Sequence, residues 1–437
     1  MPRSIYDQAA ELLLDAMYRE SSDYRLKSSF FFSSRPGAPH WDRGLGISVF
    51  YDSAKLVRAA LCVRKIGPAY LRYLPISAIS GALRNFVIDH YGVLADETFL
   101  RRFAGSFAST ISGGAKSAFA NALAQSSVFQ PRNEVTLFPI VPLIVRTEFN
   151  SEPFFLAAPT TTSLRPWLTQ VSDLVGETFP PLAEWSGSRN TPTAWLGVRS
   201  PDFLASNKIK AAILGALALT PQPRLRHLFT GRTMFGGRCT IADNGHATFN
   251  HGDPHTPPLS DNIIIDDQDL EWLNVLASKL ASNETEAGRQ IKALEYFYRA
   301  WPLDPAERFP ILCMTLDAIF GEAGIATRSV INGVRVTLGA HVPEARLSLL
   351  MDLRNSVLHG GAPDVYDSRK YAKYYDQYGE DPIDDMQLVV GRCLRSKIFG
   401  TTLNEHADPN AEQIAQLQAA GRLPQILARP SIFDPQN

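Results

Sequence analysis

The spacing of apolar residues changes period twice along the chain. Ile5, Ala9, Leu12, Leu13 and Ala16 fall at helical spacing over residues 4–20, with Tyr6 and Leu14 widening the stripe. A Ser-, Phe- and Pro-rich stretch at 28–45 reads as a loop, and helical spacing returns at 52–65, 78–90, 96–108 and 114–125. Residues 1–130 are therefore expected to be a mainly helical N-terminal region. From Pro131 the period shortens. VTLFPIVPLIVRTEF and PFFLAAP predict two β segments joined by the polar turn NSE, with Pro139 and Pro142 demoting the first to an edge strand or irregular extended chain. RCTIADNGHATFNH places strand-like residues around an Asn-Gly turn signal, NIIIDD reads as a short strand, and KIKAAILGALAL as a helix. Residues 131–270 are expected to form a mixed α/β or β-rich domain, a candidate sensor or regulatory module.

The helical period returns after residue 269. Ile291, Leu294, Tyr298 and Trp301 share a face in a helix that Ser282 or Asn283 can cap and Pro302 ends. Asp304, Pro305 and Glu307 make a capping-box start for the next helix, which runs through Phe309, Leu312, Cys313, Leu316, Ile319 and Phe320 to Gly321, with Pro310 a local distortion. Further helices are expected at 327–337, from Pro343 through Leu347, Leu350, Leu353 and Val357, and at 383–399. Residues 401–437 hold one weak helical pattern and several prolines, as a wrapping or frayed tail would. The predicted class is α+β, mainly α, with a terminal bundle of four or five helices over 271–400.

Composition narrows this picture by exclusion. A chain of 437 residues, 45% hydrophobic and 20% charged, suits two or three ordinary globular domains. Cys62, Cys239, Cys313 and Cys393 lack the spacing of a disulfide framework or a four-cysteine zinc site, which fits a reducing cytoplasm. The apolar run Ala211 to Leu219 is about half the length that spans a bilayer, so no membrane partner is expected. A net charge of −1 advertises no global nucleic-acid field, although a local patch suffices for binding.

Several short patterns carry atoms capable of chemistry. GGAKS at 113–117 has Ala115 where a phosphate-binding loop needs glycine, and it lacks a preceding strand. Cys239, His246, His251 and His255, with Asp243 and Asp253, match no zinc spacing, and no metal or cofactor is expected. Downstream, Tyr366, Arg369, Lys370, Tyr371, Lys373, Tyr374, Tyr375 and Tyr378 interleave aromatic and basic residues. Arg369, Lys370, Tyr371, Lys373 and Tyr374 are candidates for stacking RNA bases and neutralising phosphates. A surface hairpin that packs tyrosines on the bundle is the other reading.

The stretch LRNSVLHGG, Leu353 to Gly361, sets arginine five residues before histidine. Four arginine-histidine pairs in the chain have similar spacing: Arg35 with His40, Arg84 with His90, Arg335 with His341, and Arg354 with His359. Pro36, Gly37 and Pro39 break the first as a helix, and Gly339 breaks the third. RNFVIDHYG, Arg84 to Gly92, is the serious competitor on a helical pattern. On a helix, Asn355 and His359 share a face, and Gly360 and Gly361 supply a left-handed termination that exposes His359. The helix dipole at that end favours a protonated imidazole, a group able to exchange protons.

Arg354, Asn355, His359 and Gly360, within a terminal helical bundle, resemble the motif of the HEPN (higher eukaryotes and prokaryotes nucleotide-binding) domain. KALEYFYRA and AERFPILCMTLDAIFGEAG are similar to the first two helices of its ApeA-like branch, and the resemblance covers about residues 285–400. It implies an endoribonuclease that needs no metal, in which the ribose 2′-hydroxyl attacks its own phosphodiester to leave a 2′,3′-cyclic phosphate and a 5′-hydroxyl. Arg354, Asn355 and His359 would be catalytic, RNA the partner, and a homodimer through this domain the assembly. It further implies a bacterial antiviral defence or toxin effector, restrained or triggered by a regulatory protein or a phage-derived trigger. A catalytically silent module that binds RNA, a nucleotide or a protein is the alternative. Gly361 stands where some relatives carry a tyrosine modified by an antitoxin.

Overall fold

The computed structural model describes residues 5–20, 26–31, 46–99, 101, 103–131, 134–159, 179–180, 190–243, 246–423 and 431–433. The class is α+β and mainly helical, and the chain divides into two units, residues 1–133 and 134–437.

In the first unit, alternation of side chains across a pleat makes strands where a loop was expected. β1 (Met17–Tyr18), β2 (Leu26–Phe31) and β3 (Gly46–Tyr51) form an antiparallel sheet in the order β1-β3-β2. Ile47, Val49 and Tyr51 point into the core on a period of two, while Ser29 Oγ meets Ser48 Oγ across the strands at 3.1 Å. The expected loop at 28–45 is thus corrected over residues 28–31, and residues 32–45 lie outside the described residues. The longer helices described in this unit are α1 (Ile5–Asp15), α2 (Ser53–Ile66), α3 (Ile76–His90), α4 (Gly92–Thr98) and α5 (Gly113–Gln125). The helix expected at 96–108 is two pieces. α4 stops where Thr98 Oγ1 turns back onto the Leu94 carbonyl at 2.6 Å, and a separate turn at Phe107–Thr110 starts from extended Ser106.

The second unit is built on a six-stranded antiparallel sheet in the order β10-β9-β4-β8-β7-β6. Its strands are β4 (Glu134–Ile140), β6 (Phe149–Asn150), β7 (Phe154–Ala157), β8 (Ala194–Arg199), β9 (Gly236–Ala242) and β10 (Ala247–Pro254). A parallel pair, β5 (Leu143–Val145) and β11 (Ile263–Ile265), stands beside it. The edge placement expected for the Pro139 segment is wrong: β4 is central, paired with β8 over Val135 to Ile140 and with β9 over Glu134 to Leu137. Proline is tolerated because the β9 ladder stops two residues before it. Val135 and Leu137 face a core with Phe155, Trp195, Cys239 and Ile241, while Thr136 and Phe138 face the opposite side.

That opposite side is covered by α6 (Phe203–Leu217), whose Ser206 meets Thr136 across the interface. Ala212, Ile213, Leu214, Ala216 and Leu217 are all buried, so the C-terminal half of α6 is apolar around its circumference, as a helical segment enclosed by protein must be. Its second neighbour is α8 (Thr285–Ala300), preceded by α7 (Leu270–Ala281) and followed by α9 (Pro305–Phe320), α10 (Ala326–Leu338), α11 (Glu344–Leu358), α12 (Arg369–Tyr378) and α13 (Pro382–Leu394). The boundary expected at 270 therefore lies inside one packed unit. Residues past α13 wrap on it: Asp408 pairs with Arg224, His406 Nε2 lies 2.8 Å from Asp269, and α14 (Ala411–Ala419) follows.

The α6 and α8 backbones nearly touch at Gly215, where a Cβ would stand 2.1 Å from the Leu294 carbonyl oxygen. Gly215→Ala should lower stability by about 1–3 kcal/mol despite alanine's better helix propensity, because backbone rather than a flexible side chain must yield. An unchanged denaturant midpoint would contradict that assignment.

Candidate active site at the end of α11

α11 starts after Pro343 and anchors itself by burying Leu347, Leu350, Met351 and Leu353. Its last turn carries the candidate residues, and its end is where the glycines placed it. Leu358 is the final helical residue, His359 is the exposed cap, and Gly360 follows in the left-handed region at φ +75°. The His359 amide donates to the Asn355 carbonyl at 3.1 Å, and the Ala362 amide returns to the Ser356 carbonyl at 3.1 Å. Ser368 Oγ donates to Ser356 Oγ at 3.0 Å, tying the following loop back to the helix. The imidazole thus stands at a fixed helix end, open to solvent.

Arg354 is held quite differently. Its guanidinium lies against the last turn of α9, where Nη2 forms an ion pair with Asp317, and Nη1 donates to Asn355 Oδ1 at 3.0 Å. Only 13% of the arginine side chain is exposed. Arg354 Nε and Asp317 Oδ1 are buried without hydrogen-bond partners among the described residues, so the pair is incompletely satisfied there. Cys313, one turn before Asp317, has its thiol pushed up by burial, which keeps it neutral. The structure therefore brings Arg354 and Asn355 into contact and places His359 one turn beyond Asn355. Asp317 was not foreseen from the sequence, although a lone acid among Leu316, Ile319 and Phe320 is a signal that a cation must meet it.

The aromatic and basic segment forms α12, capped by Ser368, rather than a hairpin. Arg369 and Lys373 are exposed, and Lys370 lies 3.9 Å from Asp352. Tyr371 donates to Asp381 at 3.0 Å and packs edge-on to Tyr366. Tyr374 is corrected outright as a base-stacking candidate. It is fully buried, donates to Asp385 and accepts from Arg346 Nε at 2.8 Å. Arg346 and Asp385 form a buried ion pair, and the Ile432 amide donates to the other Asp385 oxygen at 3.0 Å.

The remaining candidates serve local structure. Arg84 reaches Ser28 Oγ at 3.2 Å and the Lys27 carbonyl at 2.9 Å, fastening α3 to β2, while His90 Nδ1 lies 3.2 Å from the Phe86 carbonyl. GGAKS opens α5 under a Ser112 cap. Cys239 is in the sheet core, and His255 has both ring nitrogens engaged, by Gly237 and Lys210. Among the described residues no group of three or more His, Cys, Asp or Glu side chains is placed to hold a metal ion. No family model, curated protein or solved structure matches the chain.

Asp385→Ala should cost about 3–5 kcal/mol by stranding the Arg346 charge, whereas Tyr374→Phe should cost about 2 kcal/mol by removing the two hydrogen bonds of its hydroxyl, to Asp385 and from Arg346. Urea denaturation of the two variants measures both. Equal losses would show that the ion pair is not the dominant partner in the cluster.

Proposed function

We propose that the chain is a HEPN-type endoribonuclease, with Arg354, Asn355 and His359 as its catalytic set. The observation that carries the reading is the exposed His359 at the end of α11, one turn beyond an Asn355 that contacts an anchored Arg354. An imidazole in that position can take the proton of a ribose 2′-hydroxyl as its oxygen attacks the adjacent phosphorus. The bond from phosphorus to the 5′-oxygen then breaks, a general acid protonates the leaving oxygen, and a 2′,3′-cyclic phosphate and a 5′-hydroxyl result. Arg354 would stabilise charge on the phosphoryl oxygens, with Asp317 as a positioning residue for its guanidinium. One copy supplies a single such histidine, so a homodimer that opposes two α11 ends provides both acid and base. In this scheme residues 1–270 restrain the nuclease, sense a trigger or select RNA, as a bacterial defence or toxin effector would require.

A second reading rests on the Arg354–Asp317 ion pair. An arginine already neutralised by a carboxylate has less charge to offer a phosphate, which favours a module that binds RNA, a nucleotide or a protein without cleaving.

Cleavage of RNA by purified wild type, His359→Ala and Arg354→Ala, with the product ends identified, separates the two. The nuclease reading expects cyclic phosphate ends and a loss of about 100-fold or more in each variant. Equal cleavage by all three proteins would sink it, and binding without product would favour the silent module.

A further inference from the structure

Away from α11, a cavity of about 300 Å³ opens where α6, α8 and the β9–β10 hairpin meet. Lys210 and Arg238 both line it, together with Asn207, Asn250, Gly252 and Tyr298. Lys210 lies on α6, four residues after Ser206 and on the face turned to the sheet. Its Nζ stands 4.9 Å from the centroid of the Phe138 ring and 3.1 Å from His255 Nδ1. His255 Nε2 is 2.6 Å from the Gly237 carbonyl, which can only accept, so Nε2 carries the ring proton and Nδ1 accepts from the ammonium. His255 is accordingly neutral, and burial followed by the Lys210 charge pushes it down to about 3. It orients Lys210 without neutralising it.

The charge that bears on Lys210 has its own sign. Burial, and then Arg238, push the ammonium down to about 8. Asp253 also lines the cavity but is solvent-exposed. Two cations facing one recess, with no buried carboxylate among the described residues that line it, repel each other, and a bound anion relieves that repulsion.

The backbone is shaped around the same recess. Asn250 pairs with Arg238 and Pro254 with Gly236, so His251, Gly252 and Asp253 bulge out of the ladder opposite Gly237. Gly237 has φ +96°, and a Cβ there would lie 2.3 Å from the Asn250 carbonyl oxygen. The hairpin is thus distorted at the very residues that line the cavity. On the far side, Tyr298 donates to the His255 carbonyl at 2.7 Å, fixing the strand end against α8.

We propose that this cavity binds the phosphate group of a small phosphorylated molecule, through the Lys210 ammonium and the Arg238 guanidinium, with the Asn207 and Asn250 amides as further donors. A planar guanidinium and a point charge together suit a tetrahedral dianion better than a carboxylate. The volume is at the lower end of small-molecule sites, so the ligand is a phosphomonoester rather than a polymer. The site is independent of the nuclease reading, since it uses no residue of α11.

Calorimetric titration of the full chain with inorganic phosphate, ribose 5-phosphate, AMP, adenosine and acetate at fixed ionic strength tests this. Saturable binding of at least one phosphate-bearing probe is expected, with none for adenosine or acetate. Lys210→Met and Arg238→Gln should each weaken that binding by about tenfold or more, and Lys210→Arg should retain most of it. Phosphate alone binding identifies the free anion as sufficient, and binding only of the esters identifies a contribution from the sugar; either supports the site. Absence of saturable binding to every phosphate probe, acetate binding as tight as phosphate, or wild-type affinity in Lys210→Met overturns it. Where Lys210→Met unfolds in a thermal scan, Arg238→Gln, whose side chain is only half-buried, decides in its place.

Discussion

The second unit depends on how closely two helices can approach. α6 has to cover one face of the sheet and pack against α8 at the same time, and the contact at Gly215 leaves no room for a side chain. α6 is therefore a shared wall: its sheet-facing side carries Ser206 and Lys210, and its other side meets the helices that lead to α9 and α11. Because interiors are close-packed and transmit displacement, the positions of Asp317 and Arg354 rest on the same stack of backbone.

Arg346 and Arg354, both on α11, show opposite designs. Arg346 gives charge-assisted bonds to Asp385 and a hydrogen bond to Tyr374, and Asp385 also receives the Ile432 amide. Such a closed network specifies packing. Arg354 is tethered by one ion pair and one amide, with a nitrogen and a carboxylate oxygen left over. An unmatched Nε recurs at Arg19, Arg308 and Arg335, so the contrast lies in how completely Arg346 is tied.

Periodicity made most helices legible and the turn signals marked the β9–β10 hairpin and the short β6–β7 pair, but VTLFPIVPLIVRTEF, read as one segment, is split among β4, β5 and β6. The spacing of Ile291, Leu294 and Trp301, the Asp304 cap, and the glycines after His359 each encode a local preference that the packed fold keeps. What could not be read locally depended on distant partners. Pro139 resembles an edge residue until the length of the β9 ladder is known, and the serines of β2 resemble a loop until Ser48 stands opposite. Tyr374 looks available for stacking until Asp385 and Arg346 claim its hydroxyl. For the candidate site, the order of Arg354, Asn355 and His359 along one helix end was visible, but Asp317 lies 37 residues away and the Lys210 cluster draws on β4, α6, the β9–β10 hairpin and α8.

The Ile432 amide that reaches Asp385 has a temporal consequence. It follows the aspartate by 47 residues, so a growing chain exposes the acid long before its last partner exists. Until that amide arrives, one oxygen of a carboxylate destined for the interior must keep its water. The polar centre between α11, α12 and α13 is therefore fully matched only once the segment carrying Ile432 is in place, which ties the burial of these helices to a stretch of chain well beyond α13.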